Sequence, residues 1–154
     1  MNILNVSNKV LAVVWAVVIG GALLLGSCEP AHADPLDHQD MLRAIIGEAE
    51  GEPYAGKVAL AYALKNRGRM SGVYGHKAIS LRSGAFWRGS RRISQTTLTE
   101  AQNALKWANS HPANDPTHGA DHWENIKAFG VPYWAKGKKP CYVVGSHAFY
   151  NNVK

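Results

Sequence analysis

Three glutamates fall close together in the run Arg43 to Pro53, "RAIIGEAEGEP", and their settings differ. Glu48 stands three residues after Ile45, beside the apolar face of a helical pattern, whereas Glu50 and Glu52 are expected in an exposed Gly-Pro turn. A carboxyl set against apolar neighbours has its charged form disfavoured, so it can keep a proton near neutral pH and deliver it to a leaving oxygen. Glu48 is therefore the candidate general acid, although from this stretch alone three solvated turn glutamates are the plainer reading. The histidines offer a different chemistry. His118 and His122 are four apart, flanked by Asp115 and Asp121, with His147 further on, and helical spacing of that kind suits zinc. Gly119 and the Asp115-Pro116-Thr117 turn argue against a helix there, and the glutamate-bearing zinc-protease signature is absent, so neither metal nor cofactor is expected. Trp87, Trp123, Tyr133 and Trp134 lie near glycines or turns, where an aromatic ring can serve as a stacking platform or simply as core edge.

The elements that would position these groups follow from periodicity. Met41, Leu42, Ile45, Ile46 and Ala49 predict a helix from about 38 to 49, capped by Asp37 or Asp40 and ended by Gly51 and Pro53. A second helix begins just after Pro53 and ends near Gly68, with Val58, Ala61, Tyr62 and Leu64 inward and Lys57, Lys65 and Arg69 outward. Asn66 and Arg67 at its end suit substrate contact or a structural role equally. Residues 70 to 96 hold four glycines without sustained period and read as loops with short elements. A third helix covers "TTLTEAQNALKWANS", with Thr99 and Gln102 in capping-box spacing. The tail carries short strand-like runs, "ADHWEN", "VPYWAKGKKP" and "CYVVGSHAFYNN". Helices first and short antiparallel strands last define an α+β fold.

Residues 1 to 33 stand apart from this pattern. After Lys9 the chain is free of charge from Val10 to Cys28, and Ala31-His32-Ala33 is a small-residue cleavage site that would release a chain starting at Asp34. "LGSC" also resembles a lipoprotein signal that would leave Cys28 lipidated, and the apolar run is long enough for an uncleaved membrane anchor. All three outcomes place residues 34 to 154, the expected single domain, outside the cytoplasm, in the periplasm or cell envelope. Only Cys141 would then remain besides Cys28, so the fold must rest on its core, without a disulfide of its own. The formal net charge of +6 favours polyanions, and export makes anionic lipid or acidic wall polymers better partners than nucleic acid. No basic helix or nucleic-acid motif accompanies the charge, so no nucleic-acid partner is expected; a solvated positive surface is the alternative.

Three ordered blocks carry a resemblance: "AIIGEAEGEPYAGKVALAYALKNR", "DPTHGADHWEN" and "VPYWAKGKKPCYVVGSHAFY". Together, from about Met41 to Tyr150, they resemble the catalytic domain of the spore cortex-lytic, SleB-type cell wall hydrolases. The most specific part is Gly47-Glu48-Ala49 with Gly51-Glu52-Pro53, followed by Gly56 and Asn66-Arg67. The resemblance implies a small lysozyme- or lytic-transglycosylase-like domain that acts on peptidoglycan glycan strands, with Glu48 as the catalytic acid; apart from the resemblance, a monomer is expected. Cleavage would fall on the β-1,4 bond between N-acetylmuramic acid and N-acetylglucosamine, and a 1,6-anhydro end would form when the muramic 6-hydroxyl closes onto C1. A hydrolytic muramidase or endolysin would instead need a second carboxylate, for which Glu52, Asp115, Asp121 and Glu124 are the candidates. The resemblance also places Trp123, Trp134, His122 and His147 in the substrate cleft, with Phe86, Trp87 and Asp115 as further substrate-binding candidates; a structural histidine is equally expected at His147. The family's longer loop between the second and third helices is matched only around Gly84-Ala85-Phe86. No separate N-terminal wall-binding domain of the spore-enzyme kind is expected, so specificity for cortex muramic lactam does not carry over. A metal-dependent amidase and a peptidoglycan-binding lipoprotein without activity are the remaining alternatives.

Overall fold

The structure is a computed structural model and describes residues 36 to 153. The expected export segment, residues 1 to 33 with Cys28, lies outside the described residues. Among the described residues no helix is long and apolar enough to cross a membrane.

Three helices build the main core. Helix α1 (His38–Ala49) is capped by Asp37, whose carboxylate accepts the Asp40 N–H, and it buries Leu42, Ala44, Ile45, Ile46 and Ala49. Helix α2 (Tyr54–Arg67) ends at Gly68, whose left-handed backbone returns an N–H to the Leu64 carbonyl. It is buried nearly all round, which corrects one expectation: Lys57 points inward, not outward. Its ammonium is satisfied by the Glu52 carbonyl at 2.5 Å and the Glu100 carboxylate at 3.1 Å. Helix α3 (Gln95–Ser110) begins one residue before the expected start at Thr96, and its cap is not the Thr99 of the capping-box spacing. Ser94 is the cap, accepting the Thr97 N–H at 3.1 Å.

The stretch expected as loops with short elements carries a one-turn 3-10 helix, Gly75–Ala78, and an antiparallel meander of β1 (Ile79–Arg82), β2 (Ala85–Arg88) and β3 (Arg91–Arg92). Charged groups fasten this meander to α1. Arg43 donates to the Ile79 carbonyl, and Arg88 donates to the Ile46 and Gly47 carbonyls at the open end of α1. Glu50, expected exposed, instead pairs with Arg91 and Arg88. The hydrogen bond from Arg91 chiefly, and the charges of both arginines against a smaller cost of burial, hold its carboxyl below the usual carboxylate range.

The second sheet has the order β4 (His122–Asn125), β6 (His147–Tyr150), β5 (Tyr142–Val144), all antiparallel. The register aligns Trp123, Phe149 and Tyr142 on the face that meets the helical core. Ala148 and Tyr150 face the other way, under a small cluster of Ile126, Trp134, Ala135 and Val153. β6 is therefore buried on both faces. The run "VPYWAKGKKP" is not a strand: Tyr133–Ala135 form a 3-10 turn, preceded by the short helix α4 (Ile126–Phe129), and they cover the sheet. The result is an α+β fold, with one small sheet between the second and third helices and the other at the end.

Candidate active site

Glu48 lies in the last turn of α1, half-buried, and its position is enforced by two glycines. Gly47 lets α1 approach the 3-10 turn backbone to backbone, since a Cβ there would land on the Gly75 carbonyl. Gly75 then presents its N–H to Glu48 Oε1 at 2.6 Å, and a Cβ on Gly75 would sit 2.7 Å from that same oxygen and from Glu48 Cγ and Cδ. One carboxyl oxygen is thus anchored by the backbone, and the surround is not the purely apolar one that the spacing suggests.

Glu48 opens onto a cleft of about 600 Å³. One wall is the end of α2 and the loop after it, with Arg67, Gly72 and Tyr74; the other is β4 with His122, Trp123 and Glu124, continued by Phe129 and Trp134. Arg67 is a strut for both walls. It donates to the Ser71 carbonyl on its own side and to the Asp121 carbonyl opposite, and its guanidinium lies 5.9 Å from the centre of the Trp123 ring. His122 is oriented through Nδ1, 2.7 Å from Asp121 Oδ1, and its ring tilts against Trp134, which meets Tyr150 edge-on. Tyr74 and Phe129 are largely exposed at the rim, at 72% and 78%. A carboxyl group among exposed aromatic faces suits a sugar chain, whose rings stack on aromatics and whose glycosidic oxygens accept a proton.

The cleft brings together Glu48, Arg67, His122, Trp123, Glu124 and Trp134 among the residues singled out from the sequence. The others stand elsewhere. Phe86 is buried in the core, and Trp87 lies on β2, its indole N–H enclosed without a partner. Asp115 organises its own loop, accepting from the Thr117 N–H and hydroxyl, the Gly119 N–H and the Asn66 amide. Burial alone would raise its carboxyl, but these hydrogen bonds outweigh it and hold the group below the usual range. His147 is buried on the core face of β6, with Nδ1 3.3 Å from Glu52 Oε1. Glu52 is no exposed turn residue: its side chain is only 9% accessible, and its other oxygen accepts the Ser146 N–H at 2.9 Å, clamping the β5–β6 turn to the start of α2. His118 sits in a loop with positive φ and His122 on a strand, so the two do not form a helical pair. Among the described residues no group of three His, Cys, Asp or Glu side chains is placed to hold a metal ion.

Tyr74, Phe129 and Gly75 were not found from the sequence. The available signal was slight: an aromatic between Gly72 and Gly75, and another just before Gly130.

No family model matches the sequence, and no curated protein matches it. Among solved structures, the chain is similar to the catalytic domain of the Bacillus cereus SleB protein, at 24% identity over 72% of this chain and 86% of that one, with a TM-score of 0.45. It is similar also to the catalytic domain of the germination-specific lytic transglycosylase SleB from Bacillus anthracis, at 24% identity over 72% of this chain and 90% of that one, with a TM-score of 0.46.

Proposed function

We propose that this chain is an exported peptidoglycan glycosidase that cleaves the β-1,4 bond between N-acetylmuramic acid and N-acetylglucosamine as a lytic transglycosylase. The observation that carries the reading is Glu48, a half-buried carboxyl fixed by the Gly75 N–H on the wall of an aromatic-lined cleft. The motif resemblance of the Gly47-Glu48-Ala49 run supports the same assignment.

In this mechanism the glycan lies along Tyr74, Trp123, Phe129 and Trp134. Glu48 gives its proton to the bridging oxygen, the bond from that oxygen to C1 of the muramic residue breaks, and positive charge develops at C1. The muramic 6-hydroxyl then bonds to C1 and its proton passes to the Glu48 carboxylate, which restores the acid and leaves a 1,6-anhydro end. No water is consumed. In this mechanism the second carboxyl oxygen carries the proton, since Oε1 is committed to the Gly75 N–H.

A hydrolytic muramidase is the second reading, and one observation favours it: Glu124 lines the same cleft, whereas Glu52 and Asp115 are spent on internal hydrogen bonds and Asp121 pairs with His122. Mass spectrometry of the fragments released from purified sacculi by the full-length chain separates the two. Muropeptides lighter by one water than those from a hydrolytic muramidase are expected; reducing ends would establish hydrolysis, and cut amide bonds would overturn both readings. Removal of residues 1 to 33 would release a domain starting at Asp34, whereas a lipidated Cys28 or an uncleaved N-terminal segment would hold the enzyme at the membrane.

A further inference from the structure

Glu124 has a feature that the proposed mechanism leaves unused. Its Oε1 accepts the N–H of the next residue, Asn125, at 2.9 Å, which fixes the carboxylate against its own strand and leaves the other oxygen uncommitted. The β4–β6 register sets Glu124 opposite Ala148, a side chain too small to cover it, on the sheet face turned away from the main core. Glu124 is also among the residues that line the cleft with Glu48. Its charge is felt nearby: burial first, and Glu124 second, push the phenol of Tyr150 up. No arginine or lysine lies within ion-pair distance of Glu124 among the described residues; Arg67, which lines the same cleft, donates instead to the Ser71 and Asp121 carbonyls.

Resting on the glycosidase reading above, we propose that Glu124 is a second catalytic carboxylate, whose negative charge faces the positive charge that develops at C1 and the ring oxygen as the glycosidic bond breaks. Such a group takes no proton and forms no bond. Its attraction is larger in the transition state than in the bound ground state, so it lowers the barrier rather than tightening binding.

The test is steady-state kinetics on soluble glycan strands with full-length wild type, Glu124→Gln, Glu124→Asp and Glu48→Gln. The glutamine keeps an oxygen that can accept the Asn125 N–H, so only the charge is removed. The expected result for Glu124→Gln is a fall in kcat on the order of 100-fold with KM within about twofold. Product ends and thermal midpoint should match wild type. Glu124→Asp, which keeps the charge, should recover part of the lost kcat even if the glutamine variant proves less stable. Wild-type kcat in Glu124→Gln, a change in KM alone, or an aspartate variant no better than the glutamine one would overturn the role of Glu124. Each of those outcomes, with Glu48→Gln inactive, leaves the glycosidase reading intact. Intact glycan with the wild-type chain itself would remove both.

Discussion

At the scale of single residues, the candidate chemistry depends on where one carboxyl is held. Gly75→Ala tests this without touching Glu48, because the added methyl would press on Glu48 Cγ, Cδ and Oε1 while the backbone there is not left-handed. A displacement of about 1 Å at a reacting group can cost about 100-fold in rate, so kcat should fall by that order while the chain stays folded by circular dichroism. Unchanged turnover in Gly75→Ala would show that the anchor does not matter. The half-buried setting of Glu48 was suggested by its place relative to Ile45 and Ile46, a local, helical fact, but it took the motif resemblance to set it above three solvated turn glutamates. Gly75 was not legible, since its bond to Glu48 spans 27 positions of chain. The misplacing of Glu52 has the same cause: a Gly-Pro setting reads as exposed until the β5–β6 turn, 94 positions on, closes over it.

At the scale of elements, the helices were readable and their polar fastenings were not. Apolar spacing and the Asp37 cap give α1 its bounds, but amphipathic reasoning put Lys57 outside, since α2 is covered on almost every side and its ammonium is matched by partners from outside the helix. "VPYWAKGKKP" looked like a strand from its aromatics, yet Pro132 and the 3-10 turn that follows place Trp134 over Tyr150. Two clamps make predictions here. Glu52→Ala leaves the Ser146 N–H without its acceptor and removes the carboxylate 3.3 Å from His147 Nδ1, and a loss of about 2 to 3 kcal/mol is expected by urea unfolding. A loss below about 0.5 kcal/mol would contradict the clamp. Asp115 should give stability a pH dependence. Its folded-state carboxyl titrates below the unfolded value of about 4, so its hydrogen bonds contribute fully above that pH and are lost as pH falls through the folded titration. The gap in urea midpoint between wild type and Asp115→Asn should therefore be widest near neutrality and close on acidification, whereas a constant gap would show that the charge is irrelevant.

At the scale of the whole molecule, the +6 charge and the aromatic rim suit a polyanionic, sugar-rich partner. Binding to purified walls should weaken as salt is raised from about 0.05 M to about 0.5 M, because exposed charges are screened within a Debye length. Salt-independent retention would assign the affinity to the aromatic cleft alone. Phe129→Ala and Tyr74→Ala should raise KM severalfold in glycan kinetics, as both rings are exposed on the cleft rim and available to stack. The α+β class was visible in the order of periodic segments, whereas the cleft, assembled from the ends of α1, α2 and β4, exists only once they pack. The measurement that tests the account most directly is release of soluble fragments from sacculi by the full-length Glu48→Gln chain. It should bind sacculi as wild type does and release nothing measurable; release at the wild-type rate would mean that Glu48 is not the acid.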